Sequence, residues 1–235
     1  MPRAMILAAG MGTRLRPLTE DKPKALVKIN HKPLIEHVIE RLQNFGYHDV
    51  IVNLHHRANL LKTFLESKKL NSLNLSFSDE TTKLLDTGGG IKKARWFFSD
   101  GEPFLVHNCD VISKIPIDRM LNQHMLSGAL ATLAVSNRHT ARPLAFDESN
   151  HLKERFKSNE IPQVKGEVLR PLAFSGIYLL DPEIFNFMPD KDVFSIVDVL
   201  IEAATSRLVM AYEHDPAIWM DVGSKNNLQK ASFFP

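Results

Sequence analysis

An α/β fold with a doubly wound, mostly parallel (Rossmann-like) sheet is what this sequence predicts, and three observations predict it. Short apolar runs bounded by turn residues alternate with longer segments of helical periodicity from the start of the chain. The first such units read strand, helix, strand, which a right-handed crossover lays parallel. A loop of small and basic residues follows the first apolar run, where open α/β sheets hold their ligands. The 235 residues, 44% of them hydrophobic, can bury a large core without a disulfide or metal staple.

In order, 4–7 reads as a buried strand and 25–29 as a short extended piece turned back by Asn30-His31-Lys32-Pro33. Leu34, Ile35, Val38, Ile39, Leu42 and Phe45 recur at helical spacing, opened by Pro33 and closed by Gly46. A strand over 49–54, a helix over 57–67 and an alternating strand over 73–78 follow, with Asp79-Glu80 as a solvated turn. Three successive glycines, Gly88 to Gly90, open a helix over 85–94. A plain helix start does not need them, so the pattern points to something received there at short range. Trp96-Phe97-Phe98 is read as core. A strand over 103–108 runs into Asp110, at the end of the sheet where ligands bind.

A helix over 117–125 and a strand over 129–135 come next. The polar stretch 137–170 has weak patterning and reads as hairpins and loops laid over the sheet. The run 172–180 resumes the sheet, with Gly176 marking a bulge or a close backbone approach. A short helix from Asp181-Pro182, an amphipathic helix over 196–204 and a final helix over 225–232, capped by Ser224, complete the reading.

Composition narrows the class. A formal net charge of +2 with acids and bases mixed along the chain does not suggest a nucleic-acid partner. No run approaches the ~20 apolar residues of a membrane span, no leader is evident, and no membrane partner is expected. The one cysteine excludes an internal disulfide and fits a cytoplasmic setting. Ten histidines are present, but no H-E-x-x-H and no G-x-S-x-G. The adjacent His55 and His56 point apart and do not suit one metal.

The chemistry concentrates in Leu7-Ala8-Ala9-Gly10-Met11-Gly12-Thr13-Arg14-Leu15-Arg16-Pro17, with Lys22-Pro23-Lys24 behind it. A tight small-residue turn after a strand aims several main-chain N–H groups at one spot. Arg14, Arg16 and Lys24 add phosphate-directed cations, so the loop reads as a polyphosphate site. It is not a P-loop, because Thr-Arg follows Gly12. Nor is it a dinucleotide fingerprint: Leu15 stands where the third glycine belongs, and Asn53-Leu54-His55 offers no acid after the second strand.

The same string, with Pro23-Lys24-Ala25-Leu26, resembles the opening signature LAAGxGxRLxPLT…PKxL of the sugar-1-phosphate nucleotidyltransferases. The resemblance continues through Asp86-Thr87-Gly88-Gly89-Gly90, Asn108-Cys109-Asp110, Phe174-Ser175-Gly176-Ile177-Tyr178 and Trp219-Met220-Asp221-Val222-Gly223-Ser224. It implies that Leu7, Ala8, Ala9, Gly10, Gly12 and Thr13 wrap a nucleotide whose phosphates meet Arg14 and Lys24. Gly88 and Gly89, less so Gly90, would contact its base and ribose. Asp110 and Asp221 would hold Mg²⁺, while Asn108 and Gly176 would belong to the sugar-phosphate side. The catalytic set implied is Arg14, Lys24 and Asp110, with Arg16 as a further candidate. Cys109 replaces the family's usual glycine or alanine and is expected to be a buried structural thiol.

The partners implied are an NTP and a sugar 1-phosphate, joined with release of pyrophosphate. The attacking phosphate oxygen is already ionised, so cationic and metal neutralisation matters more than a general base. One domain over 1–235 is expected, with a nucleotide half to about 110 and a sugar-phosphate half over about 111–235. The hairpins of 137–170 then form an acceptor-side lobe, and no C-terminal β-helix is expected. The chain would be a monomer or small homo-oligomer. Within the family it looks most like the N-acetylmuramate-1-phosphate uridylyltransferases. Mannose- or heptose-1-phosphate guanylyltransferases stand second, and choline-phosphate cytidylyltransferases share the opening. A catalytically silent nucleotide-sugar-binding subunit is the alternative of another class.

Overall fold

The computed structural model describes residues 2–68, 73–156, 163–164 and 167–233. Parallel strands β1 (Arg3–Leu7), β2 (Asp49–Leu54), β3 (Asn74–Asp79) and β4 (Phe104–Asn108) form one half of the main sheet. A short strand β5 (Val111–Ser113) follows β4 directly but lies outside this sheet. The other half is built from β6 (Ala131–Ser136), β7 (Leu144–Phe146), β8 (Leu152–Arg155), β9 (Arg170–Leu180) and β10 (Val209–Glu213). The sheet path runs β8-β7-β9-β4-β1-β2-β3, and β6 joins β9 to β10. Strand β9 is antiparallel to β4, so the parallel half gives way to hairpins at that seam. A last strand, β11 (Trp219–Asp221), pairs antiparallel with β5.

Alternation along β1 explains why the sheet needs cover on both faces. Met5 points into one apolar cluster with Phe98, Phe104 and Leu200, whereas Ala4 and Ile6 point into another with Ile35, Val38 and Leu42. Helices α1 (Leu34–Asn44), α2 (Ala58–Ser67) and α4 (Ile117–Ser127) contribute to the second cluster. Helices α3 (Asp86–Lys93) and α5 (Ile196–Ala203) cover the first. A smaller cluster joins Leu15, Val27, Ile29 and Leu34 to Val222 and to Ala231 of α6 (Lys225–Ala231). It ties the end of the described chain to the opening loop. Ser224 caps α6, its hydroxyl accepting the Asn227 N–H at 3.3 Å.

The fold and the order of its elements match the sequence expectation, and four details differ. Residues 25–29 are not extended throughout: Lys24–Leu26 form a single 3₁₀ turn before a two-residue strand, Lys28–Ile29. Strands β5, β10 and β11 are not among the strands expected; β5 and β11 are too short to show a pattern. Of the aromatic triplet, Phe98 is core, its ring stacked on Phe104 with centroids 3.8 Å apart, but Trp96 is exposed. Glu80 is no solvated turn residue; it is fully buried. The hairpins expected over 137–170 are present as β7–β8 and the pair Gln163–Val164 with Glu167–Val168. The rest of that stretch, 157–162 and 165–166, lies outside the described residues.

The three glycines of α3 are explained by packing. A Cβ on Gly88 would sit 2.5 Å from the Phe194 ring, and one on Gly89 would collide with the Asp192 carbonyl oxygen. Both backbone N–H groups donate to Phe194 O, at 2.9 and 3.3 Å. Substituting Gly89→Ala should therefore cost about 1–3 kcal/mol. A urea titration against wild type checks this, and an unchanged midpoint would contradict the packing account.

Candidate active site

A cleft of about 460 Å³ opens at the C-terminal ends of β1 and β4. Its lining includes Leu7 at the end of β1, Ala9 and Gly10 from the opening loop, Asn53 in β2, Glu80 just beyond β3, and Asp86 and Thr87 at the start of α3. Lys24, Asn108, Cys109 and Asp110 close the far end.

That end gathers the charges. Lys24, largely buried, places its ammonium on Asp110 Oδ2. Strand pairing sets Asp221 opposite Val111, and the Val222 N–H donates to the Asp110 carbonyl at 2.8 Å. The two acids, far apart in sequence, are thus fixed side by side by backbone. Arg14 Nη1 stands 3.9 Å from Asp221 Oδ2, with its side chain 66% exposed. Gly223 makes the crowding possible. A Cβ there would lie 2.7 Å from Asp221 Oδ1, 2.8 Å from Arg14 Nη2 and 3.0 Å from Lys24 Nζ. Its own N–H donates to Asp221 Oδ1 at 2.6 Å, which fixes the carboxylate's orientation. Of the charged set only Lys24 and Asp110 line the cleft; Arg14 and Asp221 stand beside them, and the exposed Arg16 is not among the lining residues either.

Among the described residues no cluster of three or more His, Cys, Asp or Glu is placed to share a metal. Two carboxylates nonetheless suit Mg²⁺, which takes one or two protein oxygens and completes its shell with phosphates and water. Both acids are counter-charged in this structure, Asp110 by the largely buried Lys24 and Asp221 by the exposed Arg14. His55 and His56 are engaged elsewhere, Nδ1 of His55 with Glu80 O at 2.7 Å and Nε2 of His56 with Thr19 O at 3.3 Å.

The opening loop differs from the expectation of a bare nest of N–H groups. Asn53 Oδ1 accepts the N–H of Ala8 at 2.6 Å and of Ala9 at 3.2 Å. Asn53 Nδ2 in turn donates to Glu80 Oε1 at 2.7 Å, and Glu80 Oε2 accepts the Leu85 N–H at 3.3 Å. Burial raises the Glu80 pKa above the usual carboxylate range, against the lowering effect of these bonds. Gly90 is required here as well, since its Cβ would lie 2.7 Å from Glu80 Oε1. Gly10 stays open, with no atom within 4 Å of an added Cβ, and faces the cleft. Gly12 turns the chain at φ +63° into the 3₁₀ turn Thr13–Leu15.

Gly88 and Gly89 do not line this cleft, because their N–H groups and faces are taken by 192–196. Asp86 and Thr87 line it instead, with Asp86 held at φ +61° and its Oδ1 accepting the Thr87 N–H at 2.6 Å. Sequence reading gives Asn53 no role, takes Glu80 as a solvated turn although the resemblance places that turn near the base, and meets Asp86 only as the start of the glycine motif. On the other wall Gly176, at φ +71°, packs against Asn108, whose Nδ2 would lie 2.5 Å from an added Cβ. The two sugar-side candidates are therefore in contact.

The sequence profile of the nucleotidyl transferase family matches residues 3–234. The chain belongs to that family. The catalytic subunit beta of a mannose-1-phosphate guanylyltransferase from Dictyostelium discoideum is 34% identical over 227 residues, covering 94% of this chain and 61% of that protein. The chain thus spans under two thirds of that guanylyltransferase. An N-acetylmuramate alpha-1-phosphate uridylyltransferase from Caulobacter vibrioides is 32% identical over 232 residues, covering 94% of this chain and 91% of its own length. Among solved structures, HddC from Yersinia pseudotuberculosis superposes with a TM-score of 0.80 at 22% identity, with 99% of each chain covered. That likeness supports the fold. No described helix is long and apolar enough to cross a membrane.

Cys109 is buried, and its thiol is pushed up to about 12 by burial, the role expected of it. His107 is fully buried, and burial lowers its pKa to about 4. His124 and His214 are lowered for the same reason. An unfolded chain therefore takes up these protons first as pH falls, so stability present above pH ~6.5 is lost toward pH ~4. His107 alone should give a slope near 1.4 kcal/mol per pH unit within that window. Urea titrations from pH 7 to 4 should show the decline, and His107→Gln should flatten it; an identical slope in the variant would contradict this assignment.

Proposed function

We propose that this chain condenses an NTP with a sugar 1-phosphate, giving an NDP-sugar and pyrophosphate. The observation that carries the reading is the convergence of Asp110, Asp221, Lys24 and Arg14 around Gly223, beside the end of the cleft that Lys24 and Asp110 line. Such a set suits a reaction that brings two anions together. The nucleotide occupies the half up to about residue 110, between Gly10 and the start of α3. The sugar phosphate lies toward Asn108 and Gly176. A Mg²⁺ ion held by Asp110 and Asp221 would neutralise phosphate charge and orient both reactants when bound.

The chain's own contributions follow from position. Lys24, released from Asp110, binds phosphate oxygens of the nucleotide. Arg14 is exposed enough to follow the departing pyrophosphate. The Gly223 N–H keeps Asp221 Oδ1 aimed at the same point. No side chain needs to remove a proton from the attacking phosphate, which is anionic at neutral pH.

UTP with N-acetylmuramate 1-phosphate, or a similar hexose 1-phosphate, is the pair we favour. The near-complete span of the Caulobacter uridylyltransferase supports it. GTP with mannose 1-phosphate is the second reading, supported by the comparable identity of the Dictyostelium guanylyltransferase. A matrix of four NTPs against a panel of sugar 1-phosphates, with and without Mg²⁺, decides between them by pyrophosphate release. Absence of turnover with every pair would favour a silent binding subunit. Asp110→Asn and Asp221→Asn should each lower turnover roughly a hundredfold or more. Asp221→Asn should do so with unchanged circular dichroism, since its ion-pair partner is exposed. Near-normal turnover in either variant would remove that acid from the site.

A further inference from the structure

Strand β9 carries a bulge. Its pairing with β6 jumps from Phe174↔Val135 to Tyr178↔Leu133, so Ser175, Gly176 and Ile177 leave the ladder on that side. Two carbonyls freed there are taken by side chains: Phe174 O accepts from Arg138 Nη2 at 2.6 Å, and Ser175 O accepts from Trp219 Nε1 at 2.8 Å. The Ser175 hydroxyl is bonded to His214 Nε2 at 2.8 Å, which fixes the bulge from behind. The result is a stack, with the Arg138 guanidinium carbon 4.0 Å from the centroid of the Trp219 ring. Trp219 opens β11, two residues ahead of Asp221. Gly176, the middle residue of the bulge, carries Asn108 on its other side. Asn108, Gly176, Arg138, Trp219 and Asp221 thus form one continuous wall.

Arg138 is unusual on this wall because its charge is not balanced. It is half-buried, its Nε is buried without a partner, and among the described residues it makes no ion pair. Burial lowers its pKa, while Asp221 pulls the other way from beyond ion-pair distance. A partly desolvated guanidinium is costly unless an anion completes it. The stack fixes its plane, and the bond to Phe174 O fixes its rotation. With Nη2 on Phe174 O and Nε sealed from solvent, the Nη1 end of the guanidinium is left to meet a phosphate oxygen.

We propose that Arg138 binds the phosphate of the acceptor sugar 1-phosphate, holding it beside Asp221 for attack. The proposal rests on the reaction assigned above and names a further residue for its acceptor side. A surface strut would need only the bond to Phe174 O, and would not leave the rest of the guanidinium unmatched.

The test uses the full chain with Trp96→Phe as background, leaving Trp219 as the reporting tryptophan of the two in the sequence. Titration with a sugar 1-phosphate, and separately with inorganic phosphate, should change Trp219 emission in this protein. Arg138→Met should weaken that response about tenfold or more, with Arg138→Lys between the two. In turnover assays Arg138→Met should raise the acceptor KM by about the same factor while leaving NTP affinity unchanged. Loss of NTP and acceptor binding together with a lowered Tm would mean a strut and overturn the proposal. An unaltered response in a folded Arg138→Met variant would do the same. A penalty confined to sugars that carry a carboxylate would place the contact there instead of at the phosphate. Wild-type protein that binds these phosphates through Arg138 but turns over no pair would overturn the reaction and leave this contact standing.

Discussion

The short ladder between β5 and β11 is the constraint on which the site depends. Its pairing of Asp221 with Val111, with the Val222 N–H on the Asp110 carbonyl, joins two acids more than a hundred residues apart in sequence. Backbone hydrogen bonds of this kind are set by strand register, so the spacing of the acids does not depend on flexible side chains. The third apolar cluster anchors the arrangement, since Val222 packs with Leu15, Val27 and Leu34. The phosphate-directed loop and the second acid are thereby parts of one packed unit.

Repulsion between the neighbouring carboxylates is offset by one cation on each. Lys24 and Arg14 sit on Asp110 and Asp221, and both belong to the segment assigned to nucleotide phosphates. Under the proposed reaction, acids paired with cations would keep the site close to neutral before and after an anionic nucleotide arrived with its metal. Glycine at 223 makes the pairing feasible, because any side chain there would fill the space the charged atoms share.

The opposite wall of the cleft uses fixed polar groups. Asn53 bridges the Ala8 and Ala9 N–H groups to Glu80, and Glu80 continues to Leu85 at the entry of α3. A buried carboxylate is tolerated because each oxygen has a donor. The relay couples the opening loop to the helix entry across three strands of the sheet. On the wall proposed for the acceptor, the β9 bulge plays the corresponding role by releasing carbonyls that orient Arg138 and Trp219.

Sequence alone determined the family motif, the alternation of strands and helices, and the identities of Arg14, Lys24, Asp110 and Asp221, because periodicity and a dense local string survive without knowledge of contacts. It also placed Pro33 and Ser224 at helix starts, where capping is a local matter of one turn. Tertiary structure decided what depends on residues distant in the chain. Gly88 and Gly89 serve the approach of 192–196, Glu80 is buried by Asn53 and α3, and Arg138 gains its setting from a bulge thirty-odd residues away. A glycine, a glutamate or an arginine looks the same in a sequence whether it meets solvent, ligand or another strand, and only the folded register selects among these.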